Sequence, residues 1–546
     1  METVTAVDVE KAQDTSGLGG HPRGLMTLFF TEMWERFSYY GMRAILMLYM
    51  TKSAAEGGLN FGNAKGAAIY GMYTGAAYLL CVPGGWVADN LLGARTSVLY
   101  GGIIIALGHF SMAFPSQATF FLGLVLIAFG TGLLKPNIST MVGGLYGEND
   151  ARRDGGFSIF YMGINLGAFL SPLVCGYLAQ SDSFKVFLSN LGISPQSSWH
   201  WGFAAAGVGM TLGLVQYVLG SNRLRNVGLK SDKQAASEAS GGAPQKAERA
   251  AQIAAHPKAK FLQTLSYIFW GVAIAVFALA AILAGLHLAG SAFGLELEDA
   301  FALVYLACIS ALLAMAVKYI AEVKAQGEDE RATSEAKRMG VIAILFVFTI
   351  LFWMAFEQAG SSLTLFADEM TRNNLLGYDF PSSWFQSVNS VFIILLAPVF
   401  STIWIRRQNK FPSSPMKFAL GLVFAGLGFV VVAYGASIAT GNRLSPLWLI
   451  VVYLLHTIGE LCLSPVGLST ITKLAPIKLV GLMMGVWFLA TSIGNYLGGR
   501  VAGFFDSSAE GAVVKLFAYV ALATIVAGGI LAAISSPVRR MMGRIN

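Results

Sequence analysis

The chain has 546 residues, 55% of them hydrophobic and 12% charged, against ~25% charged in ordinary soluble domains. That composition excludes a water-soluble globular protein. The net charge of +7 leaves nucleic acid or anionic lipid open as partners until the basic residues are placed.

In chain order, residues 1–22 carry Glu2, Asp8, Glu10 and Asp14, with no basic cluster ahead of an apolar run. They predict a disordered cytoplasmic tail rather than a cleaved signal. Apolar stretches of about the ~20 residues a helix needs to cross a bilayer follow at 24–51, 66–88, 96–114, 119–142, 156–179 and 202–220. Residues 221–260, rich in Lys, Ala, Ser, Gln and Glu, read as an exposed linker. Two further apolar segments lie at 261–288 and 300–325, and six more at 340–367, 383–405, 418–438, 447–471, 480–501 and 512–534. The expected plan is an all-α membrane protein of fourteen helices. It has a six-helix bundle over 23–220, a cytoplasmic linker over 221–260, an inserted pair with its connection over 261–338, and a second six-helix bundle over 339–546. The inserted pair lacks grouped charges and is expected to be peripheral.

With the N-terminus inside, basic residues crowd the inner loops, among them Arg152, Arg153, Arg223, Arg225, Lys233, Lys246, Arg249, Lys337, Arg338, Arg406, Arg407, Lys410, Lys473, Lys478, Arg539 and Arg544. The outer loops hold little more than Lys52, Lys185, Arg372 and Arg443. This positive-inside pattern puts both termini in the cytoplasm and accounts for the basic charge without nucleic acid; lipid is the surrounding partner. Cys81, Cys175, Cys308 and Cys462 sit singly in apolar blocks, as small buried hydrophobes rather than disulfide or metal ligands.

Ionisable groups inside a span are costly and mark function or structural pairing. In the first span Glu32, Glu35, Arg36, Tyr39, Tyr40 and Arg43 fall on one helical face, which cannot point at lipid. The fourth span adds Lys135 beside Pro136 and the fifth Asn165. Leaving the inserted pair out of the count, the seventh adds Glu357 and Gln358, the eighth Gln386 and Asn389, the tenth His456 and Glu460, and the eleventh Trp487 and Asn495. Arg43 and Lys135 come from the first half, Glu357 and Glu460 from the second. A cavity between the halves therefore has a cationic and an anionic wall, which suits a zwitterion. A ligand carboxylate competing for Arg43 or Lys135 would free Glu35 or Glu357 to exchange a proton. His456 reads as a packing residue. Prolines at Pro83, Pro136, Pro172, Pro398 and Pro465 predict kinks.

The stretch from Gly85 to Arg95 matches the G-x-x-x-D-x-x-x-G-x-R loop of the major facilitator superfamily, with Asp89 and Arg95 able to pair across the turn. Glu32-Met33-Trp34-Glu35-Arg36-Phe37-Ser38-Tyr39-Tyr40, Gly130 to Asn137, Phe160 to Gly167, Phe352-Trp353 with Glu357-Gln358, and Gly459-Glu460-Leu461 with Ser464-Pro465 together resemble the proton-dependent oligopeptide transporters. The resemblance runs over nearly the whole chain after the tail. It implies the major facilitator fold, two bundles in pseudo-twofold symmetry with alternating access, and import of di- and tripeptides by proton symport, with the proton as coupling ion and no other cofactor.

Carried onto this sequence, the resemblance implies that Arg43 and Lys135 hold the peptide carboxylate, helped by Tyr39, Tyr40 and Tyr78, and that Asn165, Asn389 and Glu460 hold the amino terminus. Trp353, Ser464 and Trp487 would line side-chain pockets. Glu32, Glu35, Arg36 and Lys135 would form the proton network, Arg43 and Glu357 would pair in gating, and Asp89 and Arg95 would act as conformational latches. The inserted pair and the lack of a large domain between spans nine and ten point to a bacterial inner membrane. The competing cargo on the same fold is nitrate, another anion or a drug, which Glu460 would disfavour where the solute lacks an amine. An enzyme is not expected: the six histidines are isolated and form no H-E-x-x-H or comparable ligand set.

Overall fold

The structure is a computed structural model, which describes residues 14–147, 150–230, 251–290, 296–375, 377–407, 412–439, 442–476 and 479–543. Residues 1–13 of the predicted tail and 231–250 of the predicted linker, with Lys233, Lys246, Arg249, Lys410, Lys478 and Arg544, lie outside the described residues.

The first half contains α1 (Arg23–Thr51), α2 (Asn63–Leu79), α3 (Cys81–Val87), α4 (Ala94–Met112), α5 (Gln117–Gly144), α6 (Arg153–Gln180), a short α7 (Asp182–Asn190) and α8 (Ser198–Gly220). The inserted pair is α9 (Pro257–Leu288) and α10 (Leu297–Ala325). The second half contains α11 (Asp329–Phe356), α12 (Ser362–Glu369), α13 (Phe385–Arg406), α14 (Ser414–Ile438), α15 (Leu447–Leu474), α16 (Val480–Ala502) and α17 (Ala512–Met542). A two-residue hairpin, β1 (Asn374–Leu375) with β2 (Tyr378–Asp379), lies in the loop after α12.

Every predicted span is helical, and among the described residues ten helical segments are long and apolar enough to cross a bilayer by length and composition alone. The other four predicted spans are α1, the α2–α3 pair, α4 and α16. In α1 the reason is its charges: Glu32, Glu35, Arg36 and Arg43 lower its hydropathy, and the helix is instead sheathed by protein, with almost every residue from Gly24 to Met50 buried. It packs against α6 and α8.

Within the halves α4 packs on α5, and α14 on α15 and α17. Between them α2 packs on α16 and α6 on α13. Spans two and eight occupy equivalent places in the two halves, as do five and eleven, so these two seams are one contact repeated by the pseudo-twofold axis. At the α2–α16 seam Gly71 and Gly499 touch: a Cβ on Gly499 would lie 2.5 Å from the Gly71 Cα and a Cβ on Gly71 2.8 Å from the Gly499 Cα. Small residues are what let membrane helices approach this closely.

Three expectations are corrected. The seventh span is not one continuous helix: α11 stops at Phe356, a 3₁₀ turn covers Glu357–Gly360, and α12 restarts at Ser362. The Gln358 side chain makes the break tolerable, donating to the carbonyls of Met354 (3.3 Å) and Gly498 (3.0 Å) and accepting from the Ser362 hydroxyl at 2.5 Å. The described end of the tail is not loose, because Arg152 donates to the carbonyls of Asp14 (2.9 Å) and Gly20 (2.7 Å). The inserted pair is not merely peripheral. While α9 is largely exposed, α10 packs against α11 and α2, and its Tyr305 bonds to Ser492 of α16.

Candidate functional site

Four clusters of polar side chains are built into the spans. In the first, Arg36 of α1 reaches Glu32 at 2.8 Å, one turn back, and Glu35 at 2.7 Å. All three are buried, Glu35 completely, and one oxygen of Glu32, both of Glu35 and one nitrogen of Arg36 have no hydrogen-bond partner. Two carboxylates facing one guanidinium in a dry site leave an excess negative charge that a proton would cancel.

The second cluster joins the halves. Arg43 Nη2 lies 2.6 Å from Glu357 Oε2, and Arg43 Nε donates to the Tyr70 hydroxyl at 2.6 Å. The break in the seventh span presents Glu357 here, and it also makes room for the tyrosine: a Cβ on Gly360 would fall 1.8 Å from Tyr70 Oη. Arg43 further lies 5.5 Å from the centre of the Tyr40 ring.

In the third, Lys135 Nζ of α5 stands 3.3 Å above the centre of the Tyr78 ring, a cation–π contact. No ion pair to Lys135 occurs among the described residues. Tyr39 packs edge-on to Tyr40 at 5.3 Å and stacks on Tyr73 at 6.4 Å, and the buried hydroxyls of Tyr39 and Tyr73 lack partners.

The fourth lies in the second half, where Asn389 Nδ2 donates to Glu460 Oε2 (3.2 Å) and to Thr457 Oγ1 (3.0 Å), while Thr457 donates back to the Tyr453 carbonyl at 2.7 Å. Asn165 is not hydrogen-bonded to this group; it donates to the Tyr161 carbonyl of its own helix at 2.9 Å. Trp353 is half-buried with a free indole N–H, the buried Ser464 hydroxyl is likewise unpartnered, and Trp487 packs on Gly467. His456 rests against Phe429 at 4.8 Å between ring centres, a packing arrangement.

The expected Asp89–Arg95 pair does not form. Ala88–Leu92 makes a single wide turn that leaves Asp89 exposed, and Arg95 Nη2 instead donates to the Ser221 carbonyl at 2.6 Å. Carbonyls at a helix C-terminus have no partner within the helix, and this one lies just past α8. Sequence reasoning missed Tyr70, Tyr73 and Thr457. The signal for the first two was two tyrosines at i and i+3 in a span; for Thr457, a hydroxyl one turn before Glu460.

The hydrogen bonds and ion pairs between the halves, among the described residues, lie between mid-span, where Ser492 meets Gly75, and the distal end, that of Thr51 rather than Arg23. Besides Arg43–Glu357 they include Lys52–Asp368 at 2.7 Å and the Gln180 amide donating to Ser382 at 2.9 Å. Trp384 Nε1 donates to the Leu173 carbonyl (3.2 Å), Ser387 to that of Phe169 (2.8 Å), Gln386 to that of Ala44 (3.4 Å) and Ser492 to that of Gly75 (2.6 Å).

Two helical bundles in pseudo-twofold symmetry, with buried charges and a broken helix between them, define a membrane transporter of the major facilitator type. A family model described as the POT family matches residues 95–242 and 251–517. The chain is 38% identical to the peptide transporter YePEPT of Yersinia enterocolitica, covering 96% of each chain. It is 35% identical to a di-/tripeptide transporter of Lactococcus lactis subsp. cremoris, covering 96% of this chain and 97% of that one. A crystal structure of a peptide transporter POT in complex with alafosfalin aligns with a TM-score of 0.73 at 35% identity, over 97% of this chain and 98% of that one. The chain belongs to the POT family of transporters and is not an enzyme.

Proposed function

We propose that this protein imports di- and tripeptides across a bacterial inner membrane by proton symport, with both termini in the cytoplasm. The observation that carries the reading is the division of charge. Arg43 and Lys135 stand on helices of the first half, and Glu460, held by Asn389, stands on the second. A peptide's carboxylate and amine match those two walls, and its backbone length separates them. The names of the relatives, peptide and di-/tripeptide transporters, support the same cargo.

In this reading the carboxylate meets Lys135 and Arg43, with hydroxyls of Tyr39, Tyr40 and Tyr78 in support. The amine meets Glu460 and Asn389, with Asn165 turning toward it, while Trp353, Ser464 and Trp487 border pockets that tolerate many side chains. Glu32, Glu35 and Arg36 take up and release the proton. When peptide competes for Arg43, the Arg43–Glu357 pair loosens, which couples cargo to gating, and Asp89 and Arg95 act at the opposite, cytoplasmic end. The distal end is then periplasmic, and the bonds there describe a transporter closed to the outside. Each proton driven inward supplies about 2.3 kcal/mol per 100 mV, roughly fifty-fold accumulation of cargo.

The test is uptake of a labelled dipeptide into liposomes with and without an imposed pH gradient, in wild type, Glu35→Gln, Lys135→Ala and Glu460→Ala. Accumulation only by wild type and only with the gradient supports the proposal. Uptake of nitrate or a drug with indifference to dipeptides overturns the cargo and leaves the fold standing.

A further inference from the structure

The inserted helix pair touches the seam that alternating access must open. Its second helix, α10, docks on α16 through polar contacts of three residues: Tyr496 donates to the Glu298 carbonyl at 2.9 Å, Arg500 pairs with the Glu298 carboxylate, and Tyr305 Oη lies 3.0 Å from Ser492 Oγ and 3.3 Å from the Ser492 carbonyl oxygen. Phe301 stacks on Tyr496 at 6.5 Å, and Tyr305 lies 5.5 Å from the same ring. The buried cluster of Tyr305, Leu489, Ile493 and Tyr496 also collects Met72 and Leu79 from α2, which belongs to the opposite bundle.

The direction of the hydrogen bonds at this point is fixed. Ser492 Oγ lies 2.6 Å from the Gly75 carbonyl oxygen, which can only accept, so the single serine proton is committed to α2. Tyr305 is therefore the donor, with its hydroxyl 3.0 Å from Ser492 Oγ and 3.3 Å from the Ser492 carbonyl oxygen, and the shorter contact gives a chain from Tyr305 through Ser492 to Gly75. Donation into the serine oxygen fixes its rotor toward Gly75 and polarises the bond it makes, in a site where water does not compete. The tyrosine is 4% exposed, and a Cβ on Gly75 would meet its oxygen at 2.6 Å, so the fit requires glycine there. Without the tyrosine hydroxyl, the serine is free to bond back to its own helix, as serines in helices do.

We propose that Tyr305 of the inserted pair is a positioning residue of the transport cycle: it holds the Ser492 hydroxyl on the Gly75 carbonyl and so favours the state in which the two bundles are closed at the distal end. The pair rides with the second bundle, to which its polar contacts run; it meets the first through apolar packing on Met72 and Leu79 and, in polar terms, through the one serine. This rests on alternating access but not on the cargo, so a failed peptide assay leaves it intact.

The experiment is pulsed electron spin resonance between labels at Lys65→Cys and Glu510→Cys, both exposed at the distal end, with the four native cysteines replaced, in lipid nanodiscs. Tyr305→Phe is expected to raise the ratio of distally open to closed molecules about five-fold, one net buried hydrogen bond, and Ser492→Ala to raise it at least as much. In the Ser492→Ala background, Tyr305→Phe should add nothing. Arg500→Gln, which cuts the docking at a partly exposed ion pair without touching Ser492, should move the ratio the same way by about two-fold, and serves where Tyr305→Phe does not fold. An unchanged ratio in Tyr305→Phe, or an effect that persists in the Ser492→Ala background, overturns the assignment.

Discussion

Replacing Glu357 with glutamine should open the distal end. Arg43 is 6% and Glu357 3% exposed, and their 2.6 Å contact exists only while the bundles are together. Removing one partner of a buried ion pair costs about 3–5 kcal/mol because the other charge is left unpaired. Here the loss is smaller, since Tyr70 still accepts from Arg43 Nε at 2.6 Å and the substituted amide keeps an acceptor oxygen. About 2 kcal/mol remains, and it falls on the closed state alone, because in the open state Arg43 is hydrated. The expected shift is roughly thirty-fold toward the distally open form, read with the same spin-label pair at positions 65 and 510. The surface pair Lys52–Asp368 provides the scale: its lysine is 30% exposed, and Lys52→Ala should move the equilibrium by at most about five-fold. A Glu357→Gln shift no larger than that of Lys52→Ala would refute the argument that burial makes the inner pair dominant.

Glu460→Gln should raise the KM for a dipeptide by roughly 10- to 100-fold, the worth of a charge-assisted hydrogen bond; inhibition by the N-acetylated dipeptide should be unchanged, checked by competition in liposomes. Lys135→Gln should weaken binding of a free dipeptide by a similar factor while leaving the C-terminal amide unaffected, measured by thermal shift with each ligand. Thr457→Val removes the acceptor that holds Asn389 and should raise KM about three-fold, an effect that vanishes in an Asn389→Ala background. Gly360→Ala should displace Tyr70 from its notch and lower proton-driven uptake more than peptide binding, compared by uptake and by equilibrium binding.

Most of the architecture was legible because the bilayer leaves few options. A run of twenty apolar residues must be a helix or be unstable there, and the charge face of α1 followed from the 3.6-residue period alone. What stayed hidden were partners distant in the chain. Nothing local to Arg43 says that Tyr70 fills its Nε side, or that Glu357 is delivered by a turn of 3₁₀ helix. The break at 357–361 does not show because apolar residues on both sides, to Phe356 and again from Leu363, join into one span across Glu357 to Ser362; the patching of the Met354 carbonyl by the Gln358 amide is visible only in the structure. Asp89 and Arg95 differ from expectation for a related reason. Their closeness in sequence suggested a pair, whereas the guanidinium found a stronger need in the carbonyl past α8, more than a hundred residues away. Tyr305 carries no charge to mark it within the spans, since its proposed leverage comes from a neutral hydroxyl.

The distribution of bond types across the seam bears on how such a protein can cycle. Apart from Arg43–Glu357 and Lys52–Asp368, the halves are joined by neutral side-chain bonds, several of them to backbone carbonyls: Trp384 to Leu173, Ser387 to Phe169, Gln386 to Ala44, Ser492 to Gly75. Each exchanges for a bond to water when the distal end opens, so each contributes only about 1 kcal/mol net. The close helix contact at Gly71 and Gly499 gains dispersion energy on closing but has no polar group to strand on opening. A seam of this kind is near balance in either state, and one buried ion pair then decides the population. A ligand carboxylate drawn to Arg43, or a proton accepted by Glu357, acts on that pair directly. In the proposed cycle the equilibrium of the whole molecule is thus placed under the control of the groups assigned to the cargo and the proton, while the proposed Tyr305–Ser492 bias sets where they start.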